Sequence, residues 1–164
     1  MTEITFKGDP VTLEGTTLKV GDKAPEFTAV ATDLSEVSSN EYAGKKRLIS
    51  VVPSLDTGVC STQTKRFNDA AGEHNVTVLT VSNDLPFAQK RWCGAEGADN
   101  VITLSDHKLL DFANKYGVLM PNLRLLARSV FVVDANDEIV YIEIVPEGTN
   151  EPDYQKALDA LNAL

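Results

Sequence analysis

Two cysteines, Cys60 and Cys93, are the residues of this sequence best suited to covalent chemistry. Cys60 follows the apolar run Leu48–Val52 and precedes a segment with helical spacing, which predicts a helix N-terminus beyond the carboxyl end of a buried strand. The helix dipole and the unpaired N–H groups of a first turn favour the thiolate, the nucleophilic form of cysteine. The alternative is a buried structural cysteine that acts as a small apolar residue. Position alone leaves both interpretations open.

Thr57 and Pro53, which precede Cys60 in the sequence, help to decide between a reactive and a structural cysteine. A threonine hydroxyl on the same turn can donate to the thiolate and can accept from, or donate to, a bound oxygen. Proline lacks an N–H donor and can shield one side of the sulfur from water. Thr57 is equally consistent with an ordinary helix N-cap, so the pattern favours a reactive thiol without deciding for it.

The spacing Pro53-x-x-x-Thr57-x-x-Cys60 resembles the active-site signature of the peroxiredoxins, and within them the bacterial atypical two-cysteine class, the thiol peroxidases. The resemblance covers nearly the whole chain, and further stretches that carry it are 84–97, 126–130 and 151–154. It implies a thiol-dependent peroxidase that reduces hydrogen peroxide and alkyl hydroperoxides to water or alcohols, in antioxidant defence. It also implies a homodimer formed through loops near the active site, with the apolar loop Leu119–Leu123 as a candidate.

The same resemblance implies a role for each candidate residue. Cys60 corresponds to the peroxidatic cysteine, which becomes a sulfenic acid, and Cys93 to the resolving cysteine, which forms a Cys60–Cys93 disulfide that thioredoxin reduces. Thr57, Pro53 and Arg128 complete the predicted catalytic set. A fixed guanidinium at Arg128 favours the thiolate and can polarise a peroxide. On residue type alone, Arg128 is as consistent with an ion pair at a strand edge.

Three other functions use a similar fold. A thioredoxin-type oxidoreductase needs C-x-x-C, whereas Ser61-Thr62-Gln63 follow Cys60. A redox switch needs the disulfide but no turnover, and an interaction module leaves both thiols inert. The last two alternatives stay open at this stage.

Strands and helices that alternate along the chain must position these residues. Apolar runs predict strands at 48–52, 76–81 and 101–104 and a hairpin at 129–145, and apolar spacing predicts helices after Cys60, Asp84 and Ser105 and from Tyr154. Asp84 and Ser105 are predicted N-caps, and Gly94 and Gly117 predicted helix ends. This order predicts an α/β thioredoxin-like sandwich with a mixed central sheet and a peroxiredoxin-type insertion. We expect one domain over residues 1–164, with an N-terminal hairpin within about 1–20 that turns at Gly8-Asp9-Pro10.

Charge and composition exclude several partner classes. The 164 residues carry 15 Lys and Arg against 24 Asp and Glu, a net charge of −9, and no long basic run suits nucleic acid or an anionic membrane. No apolar run is long enough to span a bilayer, and the N-terminus lacks signal-peptide features, which favours a cytoplasmic location. The resemblance implies that the cytoplasm is a bacterial one. His74 and His107 are isolated from each other and from the cysteines, so we expect neither a metal site nor another cofactor.

Overall fold

The computed structural model of the protein describes residues 2–74 and 76–164. Its eleven strands are β1 (Glu3–Phe6), β2 (Asp9–Thr12), β3 (Thr28–Val30), β4 (Glu36–Ser38), β5 (Arg47–Val51), β6 (Thr77–Ser82), β7 (Ile102–Ser105), β8 (Leu119–Met120), β9 (Leu125–Leu126), β10 (Ser129–Val133) and β11 (Ile139–Ile144). Its four α-helices are α1 (Gly58–His74), α2 (Pro86–Glu96), α3 (Asp111–Tyr116) and α4 (Tyr154–Asn162), and one 3₁₀ helix spans Ser39–Tyr42.

A seven-stranded mixed sheet organises the molecule in the order β11-β10-β5-β6-β7-β3-β4. Strands β5, β6 and β7 are parallel, while β10 and β3 flank them in the antiparallel sense. Every residue of β5 is buried, as its continuous apolar run predicts for a strand covered on both faces. The thioredoxin-like sandwich with a mixed sheet is therefore confirmed.

Each face of the sheet carries its own apolar core, because successive residues of a strand point to opposite faces. Ile49 and Val51 lie in a core with α3 and the N-terminal hairpin, whereas Leu48 and Val52 lie in a core with α1, α2 and α4. The hairpin of β1 and β2 is confirmed, although the residues at its tip with positive φ are Lys7 and Gly8 rather than the predicted Gly8-Asp9-Pro10.

Several local predictions were wrong. Asp84 does not cap α2: the capping position is Leu85, with Pro86 at the first turn, and the helix continues past Gly94 to a left-handed Gly97. Ser105 does not cap α3; the carboxylate of Asp106 accepts from the N–H groups of Phe112 and Ala113 instead. The predicted end of α3 at Gly117 is confirmed, with φ of 67°.

The structure also bears on membrane insertion and metal binding. None of the helices in the described ranges is long and apolar enough to cross a membrane. Within residues 2–74 and 76–164, no three His, Cys, Asp or Glu side chains are grouped so that they could hold a metal ion.

Candidate active site

Cys60 is the third residue of α1, the helix that follows the carboxyl end of β5 after the loop 52–57. Its side chain is fully buried. The Thr57 hydroxyl accepts from the Cys60 N–H at 3.4 Å, so Thr57 has the geometry of an N-cap. The same hydroxyl donates to the Ser54 carbonyl at 3.3 Å. The local sequence therefore sets the thiol at a capped helix N-terminus, as its position predicted.

Arg128 immediately precedes β10, the neighbour of β5 in the sheet, and its side chain contacts Cys60. Its Nη2 donates to the Cys60 Sγ at 3.2 Å, its Nε to the Gly148 carbonyl at 2.9 Å and its Nη1 to the Gln63 Oε1 at 3.0 Å. Because the guanidinium is planar and rigid, the bonds of its Nε and Nη1 also fix the direction of its Nη2. The geometry thus aims a cation at the sulfur.

Gln63 is a site residue that the sequence analysis did not identify. It lies one turn after Cys60 and is fully buried. Its Nε2 donates to the Ser50 hydroxyl at 2.8 Å, which orients the amide so that its oxygen faces Arg128. The available signal was its place on the same helix face as Phe67 and Ala70, because buried polar groups require partners.

The environment of Arg128 excludes the ion-pair interpretation of this residue. The side chain is 2 % exposed, and none of the carboxylates in the described ranges forms an ion pair with it. A buried cation is costly unless an anion compensates it. Cys60 is the contacting residue that can become anionic, so the pair is suited to stabilising a thiolate.

A cavity of about 220 Å³ lies beside this pair and is lined by Arg128, while Cys60 itself is buried behind the lining. Pro53, Thr57 and Arg128 line one side of it, and the hairpin tip and the loop after β11 line the other through Phe6 and Gly148. Pro53 is buried and Thr57 is exposed. The structure therefore brings together four of the five predicted residues: Cys60, Thr57, Pro53 and Arg128.

Comparison with known proteins identifies the family of this chain. Residues 19–158 match the Redoxin family model. Thiol peroxidases of Listeria innocua and Staphylococcus aureus are 63% and 60% identical, over 161 and 160 residues, each covering 98% of both chains. A peroxiredoxin-like protein from Aquifex aeolicus has 44% identity and a TM-score of 0.92, with coverage of 99% of this chain and 97% of that one.

The chain belongs to the thiol peroxidases. It is an oxidoreductase of the peroxiredoxin type, as the resemblance in its sequence implied.

In this thiol peroxidase, Cys93 lies apart from the other four residues. It is on α2, half-buried, and lines a second cavity of about 250 Å³ together with Thr103. Burial raises the pKa of the Cys93 thiol, although a hydrogen bond with the Thr103 side chain opposes this. Both cysteines are free thiols, and they contact the same apolar core from different helices.

Asp84 links the two helices of the thiol peroxidase site. Its Oδ1 accepts from the Ser54 hydroxyl at 2.7 Å, and its Oδ2 accepts from the Leu55 N–H and the Ser82 hydroxyl, both at 2.8 Å. Ser54 and Leu55 belong to the loop before Cys60, while Asp84 itself precedes α2 by two residues. One carboxylate therefore ties the Cys60 loop to the start of the helix that carries Cys93.

Proposed function

We propose that this thiol peroxidase reduces hydrogen peroxide and alkyl hydroperoxides through Cys60 as the peroxidatic cysteine. The observation that carries the proposal is the buried Arg128 guanidinium, which has a donor 3.2 Å from the Cys60 Sγ and no carboxylate partner within the described ranges. In this proposal Thr57 and Pro53 shape the cavity through which the peroxide reaches the sulfur. One domain over residues 1–164 carries the activity.

The first step is attack of the Cys60 thiolate on one peroxide oxygen. An S–O bond forms and the O–O bond breaks, so Cys60 becomes a sulfenic acid and the departing oxygen takes a proton to leave as water or an alcohol. Negative charge grows on the departing oxygen, and donors placed at that oxygen lower the barrier. In this proposal Arg128 supplies such a donor, and the Thr57 hydroxyl does so after it turns away from the Ser54 carbonyl.

In the second step Cys93 resolves the sulfenic acid. Its thiol condenses with Cys60, which forms a Cys60–Cys93 disulfide and releases one water. A dithiol reductant, which we propose is thioredoxin, then reduces the disulfide through a mixed disulfide and becomes oxidised itself.

We propose that this second step involves local unwinding wherever the folded protein holds the two Cα atoms too far apart for a disulfide. A disulfide needs Cα atoms within about 7 Å, and the two cysteines belong to separate helices. Gly58 in the first turn of α1, and Gly94 and Gly97 beside Cys93, lower the cost of unwinding because glycine stabilises a helix poorly. Equal hydrogen-exchange protection around Cys93 in the reduced and oxidised proteins would contradict this step.

Apolar side chains support alkyl hydroperoxides as substrates. Phe6, Pro53 and Val59 all line the cavity beside Cys60. An organic group can lie against these side chains while its peroxide oxygens reach the Arg128 side of the cavity. Hydrogen peroxide needs no such contacts.

We further propose a cytoplasmic homodimer. Of the loop singled out in the sequence, Leu119 and Met120 are buried, so Leu123 is the leucine of that loop left exposed. Leu85 and Phe87 at the start of α2 are also exposed, and the Asn83 Nδ2 donates to the Arg124 carbonyl at 2.7 Å, which joins these two regions. An apolar surface of this kind beside the Cys60 loop fits a subunit interface.

The deciding experiment is peroxide consumption with thioredoxin, thioredoxin reductase and NADPH. We expect steady turnover in the wild type, loss of the peroxide reaction in Cys60→Ser, and oxidation without normal recycling in Cys93→Ser. Stoichiometric oxidation without turnover, also with dithiothreitol as reductant, would instead identify a redox switch.

A further inference from the structure

The N-terminal hairpin is bonded to the loop that follows β11. The Thr5 N–H donates to the Pro146 carbonyl and the Gly148 N–H donates to the Thr5 carbonyl, both at 2.8 Å. A Cβ atom at Gly148 would lie 2.5 Å from the Phe6 Cδ2, which is closer than real Cβ contacts. Position 148 therefore needs glycine so that the Phe6 ring can pack on the loop backbone.

The carboxylate of Glu147 adds four hydrogen bonds to this junction. Its Oε1 accepts from the Thr5 hydroxyl at 3.0 Å and from the Gly8 N–H at 2.8 Å. Its Oε2 accepts from the Thr149 N–H at 2.7 Å and from the Thr149 hydroxyl at 2.5 Å. The Thr149 hydroxyl and the Gly8 N–H lower the pKa of this carboxyl most, to about 2, so it is an ionised acceptor near neutral pH.

The junction continues directly into the active site. Gly148 lies between Glu147 and Thr149, and its carbonyl accepts from the Arg128 Nε at 2.9 Å. Because the guanidinium is planar, a displaced Gly148 carbonyl would rotate the Nη2 away from the Cys60 Sγ. Phe6 and Thr149, on the two sides of the junction, also line the cavity beside Cys60.

We infer that Glu147 is a positioning residue of the peroxide site, because it fixes the hairpin tip to residues 146–149 and so holds the Gly148 carbonyl that orients Arg128. The inference rests on the proposed role of Cys60. Glu147 does not contact the sulfur and acts only through Gly148 and Arg128. The N-terminal hairpin thereby helps to orient Arg128, in addition to covering one core and lining the cavity through Phe6.

The test compares Glu147→Gln with the matched control Glu143→Gln. Glu143 accepts from the Asp153 N–H and the Tyr141 hydroxyl, and its hydrogen bonds involve neither the hairpin nor Arg128. An amide at 147 has one acceptor oxygen and presents an NH₂ group to donors. We expect the rate constant of Cys60 oxidation by hydrogen peroxide to fall about tenfold in Glu147→Gln and to stay within twofold in Glu143→Gln.

Alkylation of Cys60 by iodoacetamide gives a readout that a purely structural role would not change. We expect the pH at which the alkylation rate is half-maximal to rise in Glu147→Gln, because a misplaced guanidinium stabilises the thiolate less. Reduction of the disulfide by thioredoxin does not involve this junction and should be unchanged. Thr5→Val removes one of the four bonds and provides a milder variant if Glu147→Gln does not fold.

The possible outcomes separate the inference from the function it rests on. A wild type whose Cys60 does not react with peroxide contradicts the proposed function. A reactive wild type with an equally fast Glu147→Gln, or with an unchanged alkylation profile in both variants at position 147 and position 5, overturns the inference alone. Slower oxidation with a shifted profile in either variant supports it.

Discussion

Replacement of Arg128 by lysine separates the charge of this residue from its geometry. Three acceptors surround the guanidinium, namely the Gly148 carbonyl, the Gln63 Oε1 and the Cys60 Sγ, at 2.9, 3.0 and 3.2 Å. An ammonium on a shorter chain cannot present donors in these three in-plane directions. The charge therefore stays near the site while the bond to the sulfur is lost.

The size of the effect follows from that bond. A hydrogen bond involving a charged group contributes about 1.5–3 kcal/mol, and about 1.4 kcal/mol changes a rate tenfold. We expect Arg128→Lys to lower the rate constant of Cys60 oxidation by about ten- to a hundredfold. Arg128→Met, which also removes the charge, should lower it at least as much.

Trp92 provides the assay, since this single tryptophan is largely buried next to Cys93. Stopped-flow mixing of reduced protein with one equivalent of hydrogen peroxide should follow oxidation through its fluorescence. Arg124→Lys, at an exposed position, is the control and should match the wild type. If Arg128→Lys also oxidises within twofold of the wild type, charge alone suffices and the argument from geometry is refuted.

Three further predictions address the surroundings of the site. Asp84→Asn should destabilise the fold by about 1–2 kcal/mol in urea unfolding and increase hydrogen exchange at residues 53–57; unchanged exchange would contradict the tie between that loop and α2. Phe6→Ala should lower kcat/KM for cumene hydroperoxide about tenfold and leave hydrogen peroxide within twofold, and equal losses would show that Phe6 does not select the organic group. Burial raises the pKa of Asp106 to about 6, so the native state holds its proton more tightly than the unfolded chain between about pH 4 and 6. The stability of wild type relative to Asp106→Asn should therefore fall as pH rises through that window, by about 1–3 kcal/mol, and a constant difference would argue against a titrating Asp106.

The sequence was informative wherever the signal was local. The buried run before Cys60, the hairpin formed by β10 and β11 and the amphipathic helix α4 all have short-range patterns, and each was predicted close to its observed bounds. The strands β3 and β4 were not predicted, because each has three residues and joins the sheet only through a distant partner, β7.

The errors at Asp84 and Ser105 have a common cause. Both residues precede helices, which is typical of an N-cap. In the structure Asp84 bonds to Ser54, Leu55 and Ser82 instead, and the Ser105 hydroxyl donates to the Asp84 carbonyl at 2.5 Å. A distant residue can take the side chain that would otherwise cap a helix, and the residues just before the helix do not show this.

The same limit applies to the active site. Cys60, Thr57 and Pro53 lie within eight positions of one another and form a recognisable spacing. Gln63 and Glu147 carry no such spacing, since their roles depend on Arg128 and Gly148, which meet Cys60 only after the sheet has formed. Residues that hold a catalytic group are less visible in sequence than the group itself.

The contact between the hairpin and residues 146–149 has a consequence for the newly made chain. During synthesis Cys60 leaves the ribosome well before Arg128 and Gly148, so the guanidinium that favours its thiolate is absent at first. The thiol then has only its own short segment around it and behaves as an ordinary cysteine. On the proposed role of Cys60, we expect full reactivity only after Thr5 pairs with Gly148, which joins segments far apart in the chain. We therefore expect unfinished or unfolded chains to react with peroxide more slowly than the folded enzyme does.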